Sequence, residues 1–425
     1  MSGPRDPGWR AARLLESPHR LGFFAAAFVL AGSALWWLAW LLARHVFDAA
    51  WPWQVPPGLA HGLLFSFGFM PLFFAGFLFT AAPKWLGLPP VPARGLLRPV
   101  AVVAAGWLLF AAGVHLHVLA AAAGLLAAAL GWHALVRRLA ALVTLGTRPD
   151  RTHLRLIAAA SRLGVLAQLA AAVMLAAGRE DVARAALQLG LWGFVAPVFV
   201  VAVHRLLPVF DDDVAPALAK KQPRWLLATL VALCLAQWPF ALADLWWWPQ
   251  PPAWQLAQAV LDGAAALGVL ALAARWLLLQ GLRFRLVVML QLAVAWLGVA
   301  FGLAAVSQAL LWVSEGTRSL GLAAQHAFSM GFLGSAMLAM VTRVSSGLAG
   351  RTVAADGLAW ALFGVLQLAV LLRIAAAAWP AAEPLLLAAA AVAWSAAVAA
   401  WALRQMAWSG RARRTRVAAE EGMSP

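Results

Sequence analysis

Nine histidines are the chain's main supply of metal-binding and proton-moving side chains, because it has one cysteine and no tyrosine. Cys234 sits alone in an apolar run, which excludes an intrachain disulfide, a cysteine-held cluster and a CxxC redox pair. His61 and His326 stand near the same end of two long apolar stretches, at matching depth. Neutral imidazoles from separate helices, on opposite faces of a macrocycle, are a common way of holding haem iron. The two therefore form a candidate axial pair for b-type haem, against the plainer reading that each bonds a neighbouring carbonyl. His204 ends a third apolar stretch at the opposite depth, where a histidine also caps a helix. The His115-Leu116-His117 doublet falls in a short turn between apolar runs, and is either part of a copper site or an interfacial turn. Asp262 is the one carboxylate well inside an apolar stretch; it either relays protons or pairs with a cation such as Arg162. Met330, Met337 and Met340 follow His326 near one helical stripe and read as packing. Asp211, Asp212 and Asp213 read as a solvated turn rather than a cation site, and His19, His45, His133 and His153 lie at stretch ends or on basic loops.

The elements that position these residues follow from composition. Of 425 residues, 64% are apolar and 11% charged, with a mean hydropathy of +0.83; an ordinary soluble enzyme is excluded. Cutting at charged, proline-rich and turn-like stretches gives an all-α polytopic membrane protein with twelve spans, near 21–43, 59–82, 99–114, 118–136, 155–178, 184–204, 225–246, 254–278, 286–311, 320–342, 357–378 and 384–403. The third and fourth are divided only at Gly113 to His117, and one long kinked span there would reverse everything after it. Charge arbitrates. With twelve spans and both termini cytoplasmic, 24 Lys and Arg fall in inner segments, and only Arg44, Arg179, Arg184, Arg318 and Arg373 in outer ones. The net charge of +16 thus reads as topology rather than as a nucleic-acid surface. The outer side is rich in tryptophan, including Trp36, Trp37, Trp40, Trp51, Trp53, Trp246 to Trp248, Trp254 and Trp312, as for rings anchored among lipid headgroups. The first run ends in Trp and Arg instead of a small-residue cleavage site, and reads as a retained span. The organisation expected is a cytoplasmic segment 1–20, a transmembrane domain 21–403 and a basic cytoplasmic tail 404–425, with the lipid bilayer as the main partner.

Three same-direction helices share a pattern: Gly68-Phe69 with Pro83, Gly193-Phe194 with Arg205 and Pro208, and Gly331-Phe332 with Arg343. They are helices two, six and ten, which points to three pseudo-repeats of four helices. The same segments carry a resemblance. His61-Gly-Leu-Leu-Phe-Ser-Phe-Gly-Phe69 with Ala75-Gly-Phe-Leu-Phe-Thr-Ala-Ala-Pro-Lys-Trp85, then His204-Arg-Leu-Leu-Pro-Val-Phe210, then His326-Ala-Phe-Ser-Met-Gly-Phe-Leu-Gly334 with Met340-Val-Thr-Arg-Val-Ser-Ser-Gly-Leu-Ala-Gly-Arg351, resemble in order the blocks of the NnrS family. The resemblance implies a bacterial inner-membrane protein containing haem and copper, expressed with denitrification and acting against nitric oxide stress, with nitric oxide or a nitrosylated metal as its ligand. It makes His61, His204 and His326 the metal-ligand candidates. The family's helix-two block begins His-x-His-Glu-Met, whereas here Leu59 and Gly62 replace a histidine and the acid, which puts copper in doubt.

The four-helix pattern, with histidines on helices two and ten, is also similar to the catalytic subunit of haem-copper oxidases, an analogy of architecture. Oxygen reduction is disfavoured, since helices six and seven carry no outer histidine cluster and the chain has no tyrosine. Arg343 and Arg351, at the inner end of helix ten, read as inside-positive anchors. The competing function class is a twelve-helix secondary transporter without haem, for which Asp262 is the acidic midplane candidate.

Overall fold

The structure, a computed structural model, describes residues 8–206, 223–282, 284–348 and 355–412. Lys220, Lys221, Pro208, Arg351, the Asp211 to Asp213 cluster and the end of the basic tail lie outside the described residues. Apolar stretches of this length satisfy their backbone groups in lipid by coiling into helices, and twelve helices result that are long and apolar enough to cross a membrane. They are α1 (Pro18–His45), α2 (Pro57–Leu86), α3 (Ala93–Leu116), α4 (Val118–Leu145), α5 (Thr152–Ala176), α6 (Glu180–Leu206), α7 (Arg224–Trp246), α8 (Pro252–Leu279), α9 (Arg285–Val313), α10 (Ala323–Leu348), α11 (Gly357–Ala378) and α12 (Pro380–Ser409). No strand occurs among the described residues.

The division between α3 and α4 is sharp. His117 is extended, with φ −165°, and its Nδ1 accepts the Leu119 N–H at 3.1 Å, capping α4. The two helices then fold back on each other through small residues. A Cβ added at Gly106 would meet the Ala128 backbone nitrogen at 2.5 Å, and one at Gly124 the Phe110 nitrogen at 2.4 Å. Only glycine permits backbones to approach this closely, the usual device where lipid supplies no hydrophobic drive to associate.

Helices α2, α6 and α10 form the centre, with 83%, 89% and 78% of their spanning windows buried, against at most 61% elsewhere. Phe74 on α2 packs edge-on to Phe194 and Phe199 on α6, at ring-centroid distances of 5.6 and 5.3 Å. Trp192 on α6 meets Phe328 on α10 at 4.4 Å. Each of the three is irregular at its Gly-Phe pair. The coil of α2 is interrupted at Gly68 and Phe69, where Pro71 lacks an N–H and its ring crowds the Phe67 carbonyl. In α6, residues Leu191–Val195 are π-helical just before Pro197; in α10 the π-helical stretch is Ala327–Gly334. Such wide turns redirect side chains and recur at functional sites.

The outer helices pack mostly as consecutive hairpins, and α1 closes the bundle against α12. Ser395 Oγ on α12 donates to the Ala34 carbonyl on α1 at 3.0 Å. The first and last described segments lie on one face: Trp9 Nε1 donates to the Met406 carbonyl at 3.1 Å, and Arg20 to the Ser409 carbonyl at 3.0 Å. This terminal face carries the ends of the even-numbered helices, and the opposite face their starts. One pair departs from the pattern. Helices α7 and α8 diverge, leaving an apolar groove lined by Leu226, Leu230 and Leu233 on one and Leu256, Val260 and Leu261 on the other.

Candidate functional site

His61 lies in the second turn of α2 and His326 in the first turn of α10, so the parallel run of the central helices brings both to the face opposite the termini. Their rings are 6.4 Å apart, centroid to centroid, with planes 13° from parallel. His326 Nδ1 donates to the Leu322 carbonyl at 2.9 Å, which fixes the tautomer and leaves Nε2 with its lone pair. His61 is held between Trp37, stacked at 4.0 Å and 21°, and Phe65 at 4.3 Å. Its Nδ1 is buried with no hydrogen-bond partner among the described residues.

The pair opens on a cavity of about 760 Å³. Trp37, Trp40, Phe69, Trp192, Met330 and Trp394 supply its apolar wall. Arg44, Arg184 and Arg373 supply positive charge, and Arg373 acts electrostatically on both imidazoles. The Arg44 guanidinium lies 5.7 Å from the centroid of the Trp40 ring. Three of the five cations on the side poor in basic residues thus line one cavity. Trp37 and Trp40 read as lipid anchors in the sequence; the structure turns them inward, where Trp37 packs on His61. Trp246, Trp247, Trp248 and Trp312 remain exposed. Of the methionines, Met330 lines the cavity, while Met337 and Met340 are buried in the core.

The remaining sequence candidates lie apart from the pair. His204 is at the terminal end of α6, where its Nδ1 is 3.1 Å from His153 Nε2. His115 has both nitrogens engaged: Trp36 Nε1 donates to Nε2 at 2.8 Å, and Nδ1 donates to the Pro52 carbonyl at 2.7 Å. His117 serves as the helix cap already described. Asp262 does not pair with Arg162, which is exposed while Asp262 is wholly buried; its Oδ1 accepts instead from Gln237 Nε2 at 2.7 Å.

The donor set separates the two implied metals. A metal–imidazole nitrogen bond of roughly 2.0 Å on each side puts trans imidazole centroids about 6 Å apart, close to the separation found for His61 and His326. A cavity of this size is of the class that takes a cofactor, and its arginines suit the acidic groups of haem. For copper the residues fit poorly: among the described residues no three His, Cys, Asp or Glu lie together. Leu59 and Gly62 are occupied by packing, Leu59 being wholly buried and a Cβ at Gly62 falling 2.5 Å from Leu187 Cδ2.

No curated protein matches the chain. A family model described as NnrS protein matches residues 13–413, a range that takes in all twelve helices, the histidine pair and the cavity between them. The chain belongs to the NnrS protein family.

Proposed function

We propose that the chain is a haem-binding protein of the bacterial inner membrane, with both termini cytoplasmic, that handles nitric oxide or nitrosylated metal during denitrification. The observation that carries this reading is the near-parallel His61 and His326 pair at 6.4 Å on a cavity lined by three arginines. Haem b, held by these two histidines, would supply an iron able to bind nitric oxide.

The chain's own residues prepare the place. The Leu322 carbonyl orients His326 by accepting its Nδ1–H, which leaves Nε2 as the nitrogen with a free lone pair. Trp37 and Phe65 hold the His61 ring from two sides. Arg44, Arg184 and Arg373 offer charge-assisted hydrogen bonds to the acidic edge of the cofactor, and the tryptophans around them keep bulk water from the pair. The charge asymmetry of the loops supports the orientation. The three central helices, each irregular at a Gly-Phe pair, support a threefold internal repeat.

The test is the optical spectrum of detergent-purified full-length protein, expressed with ample haem, oxidised and dithionite-reduced, with and without nitric oxide. A b-type Soret band that shifts with nitric oxide, and is lost in His61→Ala and in His326→Ala, is expected. A colourless wild type, or a band untouched by both substitutions, overturns the reading and leaves the transporter, for which the buried Asp262 is the starting point.

A further inference from the structure

The second polar wall of the cavity is built by α7, α8 and α9. Gln237 and Asp244 on α7, Gln258 on α8 and Gln308 on α9 all line it. Asp262 lies one turn behind Gln258 on the same helix and has no exposed surface. Gln237 Nε2 donates to Asp262 Oδ1 at 2.7 Å. Asp262 Oδ2 is buried and accepts nothing from any described residue, and the same holds for Gln258 Oε1 and Gln308 Oε1. The groups that face Asp262 are Gln237 and Asp244 from α7 and Gln258 from α8; Gln308 from α9 and Gln250 face Asp244. The charge that acts on Asp262 is therefore that of another carboxylate.

A buried carboxylate with only amide side chains beside it, and no cation among the described residues, is an expensive arrangement in lipid. A proton changes the count. Protonated, Oδ2 becomes a donor, and Gln258, one helical turn earlier on the same face, offers as acceptor an Oε1 that has no donor among the described residues. One proton satisfies two orphaned oxygens, where an ionised carboxylate satisfies neither. The bridge is no by-product of close packing either, since α7 and α8 diverge along the apolar groove.

We propose that Asp262 is a proton-binding site. It carries a proton on Oδ2 in the resting protein, donated to the Gln258 side chain, and exchanges that proton with the cavity that Gln237 and Gln258 line. On exchange the O–H bond at Asp262 breaks, its electron pair stays on Oδ2, and water in the cavity takes up the proton. This inference goes beyond the haem reading and does not rest on it.

The test is infrared spectroscopy of the full-length chain in lipid at neutral pH. The expected result is a carbonyl stretch of a protonated carboxyl that shifts in D2O and disappears in Asp262→Asn. Asparagine offers the same donor and acceptor as the protonated acid, so that variant keeps the thermal stability of the wild type. Asp244→Asn keeps the band, which assigns it to Asp262 and not to the second acid of this wall. Absence of the band in wild type, or its survival in Asp262→Asn, overturns the proposal. Should Asp262→Asn fail to fold, wild type with isotopically labelled aspartate carboxyls decides: a band that does not move with the label overturns it. So does a sodium-dependent rise in thermal stability of a wild type lacking the band, which marks a metal-cation site instead.

Discussion

At His61 the imidazole has one face against Trp37, an edge against Phe65 and the next residue locked in packing. A Cβ added at Gly62 would sit 2.5 Å from the end of the Leu187 side chain. Gly62→Glu is therefore expected to lower stability by about 1–3 kcal/mol through overpacking, and Leu187→Ala added to it to recover most of the loss. Thermal unfolding of the single and double variants checks both. The histidines of the site are legible in the sequence because their type, depth and helix direction are all local properties. The engagement of His115 is not, since its partners Pro52 and Trp36 lie 63 and 79 residues away. Nor is the inward turn of Trp37, because a tryptophan near a helix end serves equally as a lipid anchor until its neighbours are placed. The same distance hides the partner of Asp262: Arg162 and Gln237 both satisfy the chemistry, and only the fold selects between them.

Among the elements, α11 has the clearest start. Asp356 caps it, its Oδ1 accepting the Ala359 N–H at 3.0 Å, and Arg404 on α12 grips the same carboxylate with two guanidinium nitrogens. The Arg404 guanidinium, helped by that backbone N–H, holds the Asp356 carboxyl below the usual carboxylate range. A carboxyl with a lowered pKa in the folded state stabilises above its ordinary value of about 4, and that contribution is lost as pH falls through the lowered value. Asp356→Ala is expected to cost about 1 kcal/mol at neutral pH. Its thermal stability then falls less than that of wild type between about pH 6 and about pH 3, where the cap carboxyl of the wild type takes up its proton. The twelve helices are legible because each is a long apolar run bounded by charge, proline or glycine. The irregular turns of α2, α6 and α10 show in the sequence only as Gly-Phe pairs. Pro71 and Pro197 account for two of them, while the long π-helical stretch of α10 has no proline and no equivalent local mark.

Across the whole molecule, charge sorts the two faces, and the exceptions are as informative as the rule. Arg44, Arg184 and Arg373 come from α1, α6 and α11, far apart in the chain, yet line one cavity beside His61 and His326. If they hold the acidic edge of a cofactor, Arg373→Gln and Arg184→Gln each weaken haem retention by about tenfold, the loss of one charge-assisted hydrogen bond. The readout is the rate at which haem passes to an apoprotein acceptor. If they served topology alone, that rate would stay at the wild-type value.

The first helix has its main outer partner in the last. Because α1 rests on α12, and the N-terminal segment is tied to the Met406 and Ser409 carbonyls, the seam between them is made only after α12 has been synthesised. Until then α1 waits in the membrane with one flank covered by lipid, through the insertion of ten further spans and the arrival of α12. A chain cut short at any point before α12 carries that bare flank, which gives a membrane protease a surface by which to tell a molecule lacking α12 from one that has it.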